Sequence, residues 1–181
     1  MRRALTIGSF VLVAVAVAAI AIHAQQDKSK RPSPPATAKC DLPGGKSITV
    51  DYSSPRVKGR KVFESNVAPY GQVWRTGANE ATTFVTTSDL MIGGKHLPAG
   101  NYTLFTIPNK DKWVLIISKK TGEWGVPYPG AEMDALRADM NASSTSSPVE
   151  NLTIAFDKGE KDCTLRIEWE NSRATIAITP M

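Results

Sequence analysis

Histidine is almost missing from this chain: His23 and His96 are the two among 181 residues. Once an N-terminal leader carrying His23 is set aside, a metal site built on two or three histidines is excluded. A Ser-His-acid triad would have to use His96, which lies in the turn-like run "GGKHLPAG" and reads as an exposed loop residue. Phosphate-cradling, EF-hand and dinucleotide fingerprints are absent; "GGK" at 93–95 lacks the spacing and the following helix of a P-loop. Cysteine is equally scarce, with Cys40 and Cys163 near opposite ends of the folded region. In an oxidising compartment they would pair, otherwise they are two buried thiols; a pair would leave no thiol nucleophile. Basic residues outnumber acidic ones by 22 to 17, yet only "KSKR" and "KGRK" cluster, so no nucleic-acid partner is expected.

Long apolar runs are also lacking, with one exception. Ala4 to Ile22 is almost wholly apolar, follows Met1-Arg2-Arg3, and precedes the small residue Ala24, the layout of an export signal cleaved near Ala24. The alternative is an uncleaved anchor, because about 19 residues at ~1.5 Å rise just cross a bilayer. Membrane contact is expected only in that case. Removing residues 1–24 of the 181 leaves 157, and the loss of Arg2 and Arg3 lowers the formal charge from +5 to +3. Residues 25–39, "QQDKSKRPSPPATAK", have too little apolar surface to offset ordering entropy and read as a flexible linker. Residues 40–181 suffice for a single domain, exported to the periplasm or the cell exterior.

What is present is alternation. "ITVDY" sets Ile48, Val50 and Tyr52 on one face, "LTIAF" does so with Leu152, Ile154 and Phe156, and "TLRIEWE" with Leu165, Ile167 and Trp169. That period marks strands with one wet face. "WVLIIS" at 113–118 is continuously apolar and predicts a central strand covered on both faces, with Trp113 in the core beside Trp169. Asn109 to Lys112 and Glu170 to Ser172 read as hairpin loops, and "NASSTSSP" as a polar loop. Met133, Leu136 and Met140 stand at helical spacing and predict one short helix over 131–140. Tyr102, following Leu97-Pro98, predicts a tyrosine corner. About eight or nine mainly antiparallel strands predict an all-β fold, a β-sandwich or open barrel.

Four stretches stand out together in order: "SSPRVKGRKVF", "APYGQVWRTGANEATTF", "GGKHLPAGNYTLFTIP" and "WGVPY". They closely resemble a bacterial family known as domain of unknown function 2911, over about Cys40 to Met181. The resemblance implies an exported, predominantly β protein and brings no activity, substrate or cofactor.

Chemistry then rests on arginine, carboxylates and aromatics. In "VWRTGANEAT", Gly77 permits a sharp turn that brings Trp74 and Arg75 toward Asn79 and Glu80. Two readings are open. The group is an internal brace, with Arg75 paired to Glu80 or Asp51 and Trp74 as core filler. Or it is a pocket floor, with Arg75 as a forked donor to an anionic or hydroxyl-rich ligand and Arg56 joining from "SSPR". Trp124 and Tyr128, in "GEWGVPYPG", either stack on a flat ligand or cap an open end of the fold. The leading expectation is a non-catalytic module, needing no cofactor or metal, that binds a polar or anionic, carbohydrate-like small ligand or an envelope protein. One alternative is a hydrolase with Glu80 as acid or base and Arg75 or Arg56 steadying developing charge. Its second carboxylate would come from Asp51, Glu64, Asp89 or Glu123. The other alternative is a structural component of the envelope.

Overall fold

The computed structural model describes residues 27–181; the leader expected over 1–24 lies outside them. The chain divides at Arg31. Of the first unit, the described residues form one 3₁₀ turn, Lys28–Lys30, capped by the Asp27 carboxylate on the Ser29 N–H at 3.1 Å.

The second unit is all-β. Nine strands run β1 Pro35–Asp41, β2 Ser47–Ser53, β3 Thr83–Thr86, β4 Leu90–Ile92, β5 Lys95–Leu97, β6 Gly100–Ile107, β7 Lys112–Ser118, β8 Asp134–Lys158 and β9 Cys163–Pro180. They form one open antiparallel sheet in the order β1-β2-β3-β6-β7-β8-β9-β4-β5, with β1 and β5 outermost. The two long strands each pair with more than one neighbour, β8 with β7 and β9, and β9 with β8 and β4. The first part of β8 pairs with β7, while its last part pairs with the start of β9. That last part meets the chain at the end of β2, where the Tyr52 hydroxyl accepts from the Ile154 N–H at 3.0 Å and Ser54 Oγ donates to Leu152 O at 2.7 Å. A Cys40–Cys163 disulfide joins β1 to the start of β9, with the two Cα atoms 6.6 Å apart. The inward rows of β2 and β9, Ile48, Val50, Leu165, Ile167 and Trp169, are buried in the core, as their alternation predicts.

The segment over 131–140 is a correction. Ala131–Met133 is a single 3₁₀ turn, and the rest begins β8. Leu136, Ala138 and Met140 all point inward, at period two. Leu136 and Met140 stand four apart, a spacing that satisfies strand and helix alike, and pairing with β7 decides for the strand. The Ser/Thr-rich run after it is also strand rather than loop, because Asn141 to Ser144 find backbone partners in Thr175 to Ser172. Likewise Glu170 to Ser172 is no hairpin loop. It lies within β9, marked by an irregular register and by the left-handed Glu170 (φ 54°). At the other end, β1 takes in the last residues of the stretch read as a linker, with Ala38 buried.

β7 lies between β6 and β8 and is buried on both faces from Leu115 onward. The loop over 119–130 lies against neighbouring β6, where the Tyr128 ring meets Phe105 edge-on at 5.2 Å and Lys120 O accepts from Thr103 Oγ1 at 2.7 Å. Tyr102 closes the predicted corner, its hydroxyl donating to Pro98 O at 3.0 Å.

Candidate functional site

Between β2 and β3 the chain spends residues 54–82 without regular strand, and this long loop builds the site. It is pinned from beneath by aromatics. Phe63 stacks on Tyr70 and meets Trp113 and Trp169 edge-on, and Trp74 stacks on Trp169. Trp74 also exchanges two backbone hydrogen bonds with Thr106 of β6, at 2.8 and 2.9 Å. Farther along, Thr82 O accepts from Leu104 N–H, so the chain rejoins β6 there. Residues 75–81 are therefore an excursion thrown out between two points anchored to the same strand.

The neck of the excursion is closed by threonines. Thr76 Oγ1 lies 2.9 Å from Thr106 Oγ1, and Thr82 Oγ1 donates to Thr76 O at 3.0 Å. The turn differs from the expectation for Gly77. The left-handed backbone falls on Thr76 (φ 54°) and Asn79 (φ 57°). Gly77 is instead a close approach: a Cβ there would lie 2.8 Å from Thr82 Oγ1 and 3.3 Å from Ser53 O. A β-branched residue at positive φ is strained, and it persists where surrounding bonds over-determine it.

Asn79 donates to Ser33 O at 3.0 Å and so ties the excursion to the approach to β1. Arg56 is held at home by Ser54, through its carbonyl and hydroxyl at 3.0 and 2.8 Å. Glu80 is half-buried in the excursion. None of these three lines the cleft that opens beside the excursion, nor do Asp51, Glu64, Asp89 or Glu123. Exposed His96 does not line it either; it belongs to β5, not to a turn, and its Nε2 meets Asp89 Oδ2 at 2.9 Å.

That cleft, of about 470 Å³, lies between the 54–82 loop and residues 125–128. Trp74, Arg75 and Tyr128 line it, as does Gly77. Arg60, Asn66 and Gln72 also line it and escaped the sequence reading. Arg60 was visible only as part of "VKGRK", and its guanidinium donates to the Arg56 and Val57 carbonyls. The one signal that could have found these three is the length of aperiodic chain between two strands.

The polar wall is strongly one-signed. Arg60, Arg75, Asn66 and Gln72 line the cleft, and no carboxylate lines it among the described residues. Arg75 reaches Trp124 O at 3.4 Å, and its guanidinium carbon lies 5.9 Å from the Trp124 ring centroid. It has no carboxylate within ion-pairing distance among the described residues, so the expected pairing with Glu80 or Asp51 does not form. Burial pushes the Arg75 pKa below its ordinary value, the signature of a cation partly withdrawn from water. On the far side, Tyr128 is locked by its hydroxyl to Asp134 Oδ1 at 2.5 Å, while Arg137 donates to the same hydroxyl at 3.0 Å and to Asp134 Oδ2 at 2.5 Å. The Trp74 ring is buried against Trp169, whereas Trp124 does not line the cleft and stands 54 % exposed beside the lining residue Gly125.

Among curated proteins and among solved structures, none matches this chain significantly. A family model does match, over residues 33–178, which takes in all nine strands except the last two residues of β9, and the whole cleft. The chain belongs to the family described as Protein of unknown function (DUF2911).

Proposed function

We propose that this protein is an exported binding module whose cleft takes an anionic group, without catalysing its conversion. The observation that carries this reading is Arg75: a half-buried cation on the cleft wall, without a carboxylate partner among the described residues. A charge withdrawn from water without a counter-charge is costly, and an incoming anion supplies the missing partner. Arg60 adds a second positive charge, and the volume falls within the range of about 300–1,000 Å³ that small-molecule sites occupy. A lining devoid of carboxylates disfavours acid-base hydrolysis at this place, because the chemistry needs at least one such group beside the bond.

Action outside the cytosol is supported by the cleavable leader pattern and by the Cys40–Cys163 bond, since disulfides persist in oxidising compartments. The mature protein should begin near Gln25, and recovery of the intact precursor from the cytosol would refute export.

Binding is tested by titrating the mature chain with citrate and with inorganic phosphate at low salt. Both should raise the melting temperature, and Arg75→Gln should abolish the effect while leaving the unliganded stability within about 0.5 kcal/mol. Undiminished anion stabilisation in that variant, or a large loss of stability without ligand, overturns the reading in favour of an internal brace.

A further inference from the structure

We infer that the cleft selects an anionic sugar, a pyranose-sized ring that lays one face on Trp124 while its acidic group meets Arg75. This rests on the binding reading above and narrows it.

Two of the large exposed hydrophobics flank Gly125, a residue that lines the cleft. Trp124 is 54 % and Val126 64 % exposed, and Met181 is the other large hydrophobic so exposed among the described residues. Val126 and Gly125 line the cleft, and Trp124 adjoins them in sequence just outside the lining. The Trp124 indole, over which the Arg75 guanidinium lies, keeps half its surface exposed, and such a ring on a loop is a platform for a flat partner such as the C–H face of a pyranose. The platform is braced rather than loose. Gly125, at φ 81°, sits so close that a Cβ there would lie 3.1 Å from both the Arg75 and Ala81 Cβ atoms. Beyond it, Tyr128 is fixed by Asp134, Arg137 and Phe105. Arg75 and Trp124 are therefore presented together, with cation and ring 5.9 Å apart.

The remaining wall completes the match. Asn66 and Gln72 each carry a donor and an acceptor, which suits hydroxyl groups that do both. A bare inorganic anion would leave the indole and the amides unused. The acidic group is a carboxylate, as in a uronic acid, or a phosphate ester, and the forked guanidinium accommodates both.

The test uses trigalacturonate, its fully methyl-esterified form and glucose 6-phosphate in calorimetric titrations of the mature chain at low salt. One or both acidic sugars should bind, and esterification should weaken trigalacturonate by roughly tenfold or more. Trp124→Ala should weaken the acidic sugar that binds by roughly tenfold, the scale of one lost stacking contact. Arg75→Gln should weaken it at least as much. Wild-type affinity in Trp124→Ala, combined with loss in Arg75→Gln, overturns the sugar and leaves the anion reading standing. Undiminished affinity in both variants overturns both readings. Failure of both acidic sugars to bind, or equal binding of the esterified form, also overturns the sugar.

Discussion

The indole of Trp74 lies flat on that of Trp169, ring centroids 5.5 Å apart and planes 14° from parallel. One ring belongs to the irregular loop, the other to the middle of β9, so this stack fastens the cleft to the sheet. Trp74→Ala should cost about 3–5 kcal/mol in urea unfolding, the range for deleting a buried indole. Trp74→Phe should recover a substantial part of it, because a smaller ring still stacks. Equal losses from both variants would mean that the stack contributes little.

Gly77 is required for space. Ala at this position would press on Thr82 Oγ1 and on the Ser53 carbonyl, neither of which is the far end of a flexible chain. Gly77→Ala should therefore destabilise by about 1–3 kcal/mol, the usual cost of overpacking. Gly44→Ala, with a positive φ but open space around it, should cost less, and comparing their denaturant midpoints checks the ordering.

Cys40 and Cys163 are separated by 123 residues in sequence. Closing a loop of that length restricts the unfolded chain by about 5 kcal/mol in the chain-entropy model. The Cys40→Ser/Cys163→Ser protein should lose stability on that scale, and reductant should shift the unfolding midpoint of the natural protein but not that of the variant. A midpoint insensitive to reductant would contradict the assignment.

Tyr52 gives an alkaline signature. Its hydroxyl is buried beside the Ile154 backbone, and that burial raises its pKa above the ordinary 10.0. The folded protein thus keeps the proton while the unfolded chain releases it. The associated stability is complete below pH 10 and declines as pH rises from there toward the folded value. Tyr102 and Tyr128 shift in the same direction, so all three add to the slope. The urea midpoint should fall above about pH 10, and Tyr52→Phe should flatten part of that fall.

Where one face of a strand is dry, the fold is readable without coordinates: Leu165, Ile167 and Trp169 alternate, and all three are buried. Legibility fails where a spacing fits two periods, as at Leu136 and Met140. It fails again where strand identity comes only from a partner, as in the serine-rich part of β8. Within the site, Trp74, Arg75 and Tyr128 declare themselves by type and by unusual neighbours. Arg60, Asn66 and Gln72 do not, because each is an ordinary loop residue until the 54–82 segment is pinned and turns them toward one space. Arg56, Asn79 and Glu80 show the converse. Closeness in sequence does not bring them to the cleft, because residues 75–81 bulge away from β6 and Arg56 is tethered to Ser54.

The two outermost strands have a bearing on how this protein behaves in a crowd. β5 is only three residues long and presents Lys95 and His96, while β1 starts at a proline and carries Lys39 and Asp41 on its exposed side. Short, charged or proline-bearing rims are poor templates for a foreign strand. A nine-stranded sheet that does not close is therefore guarded against end-to-end polymerisation, and concentrated solutions should stay free of fibrils.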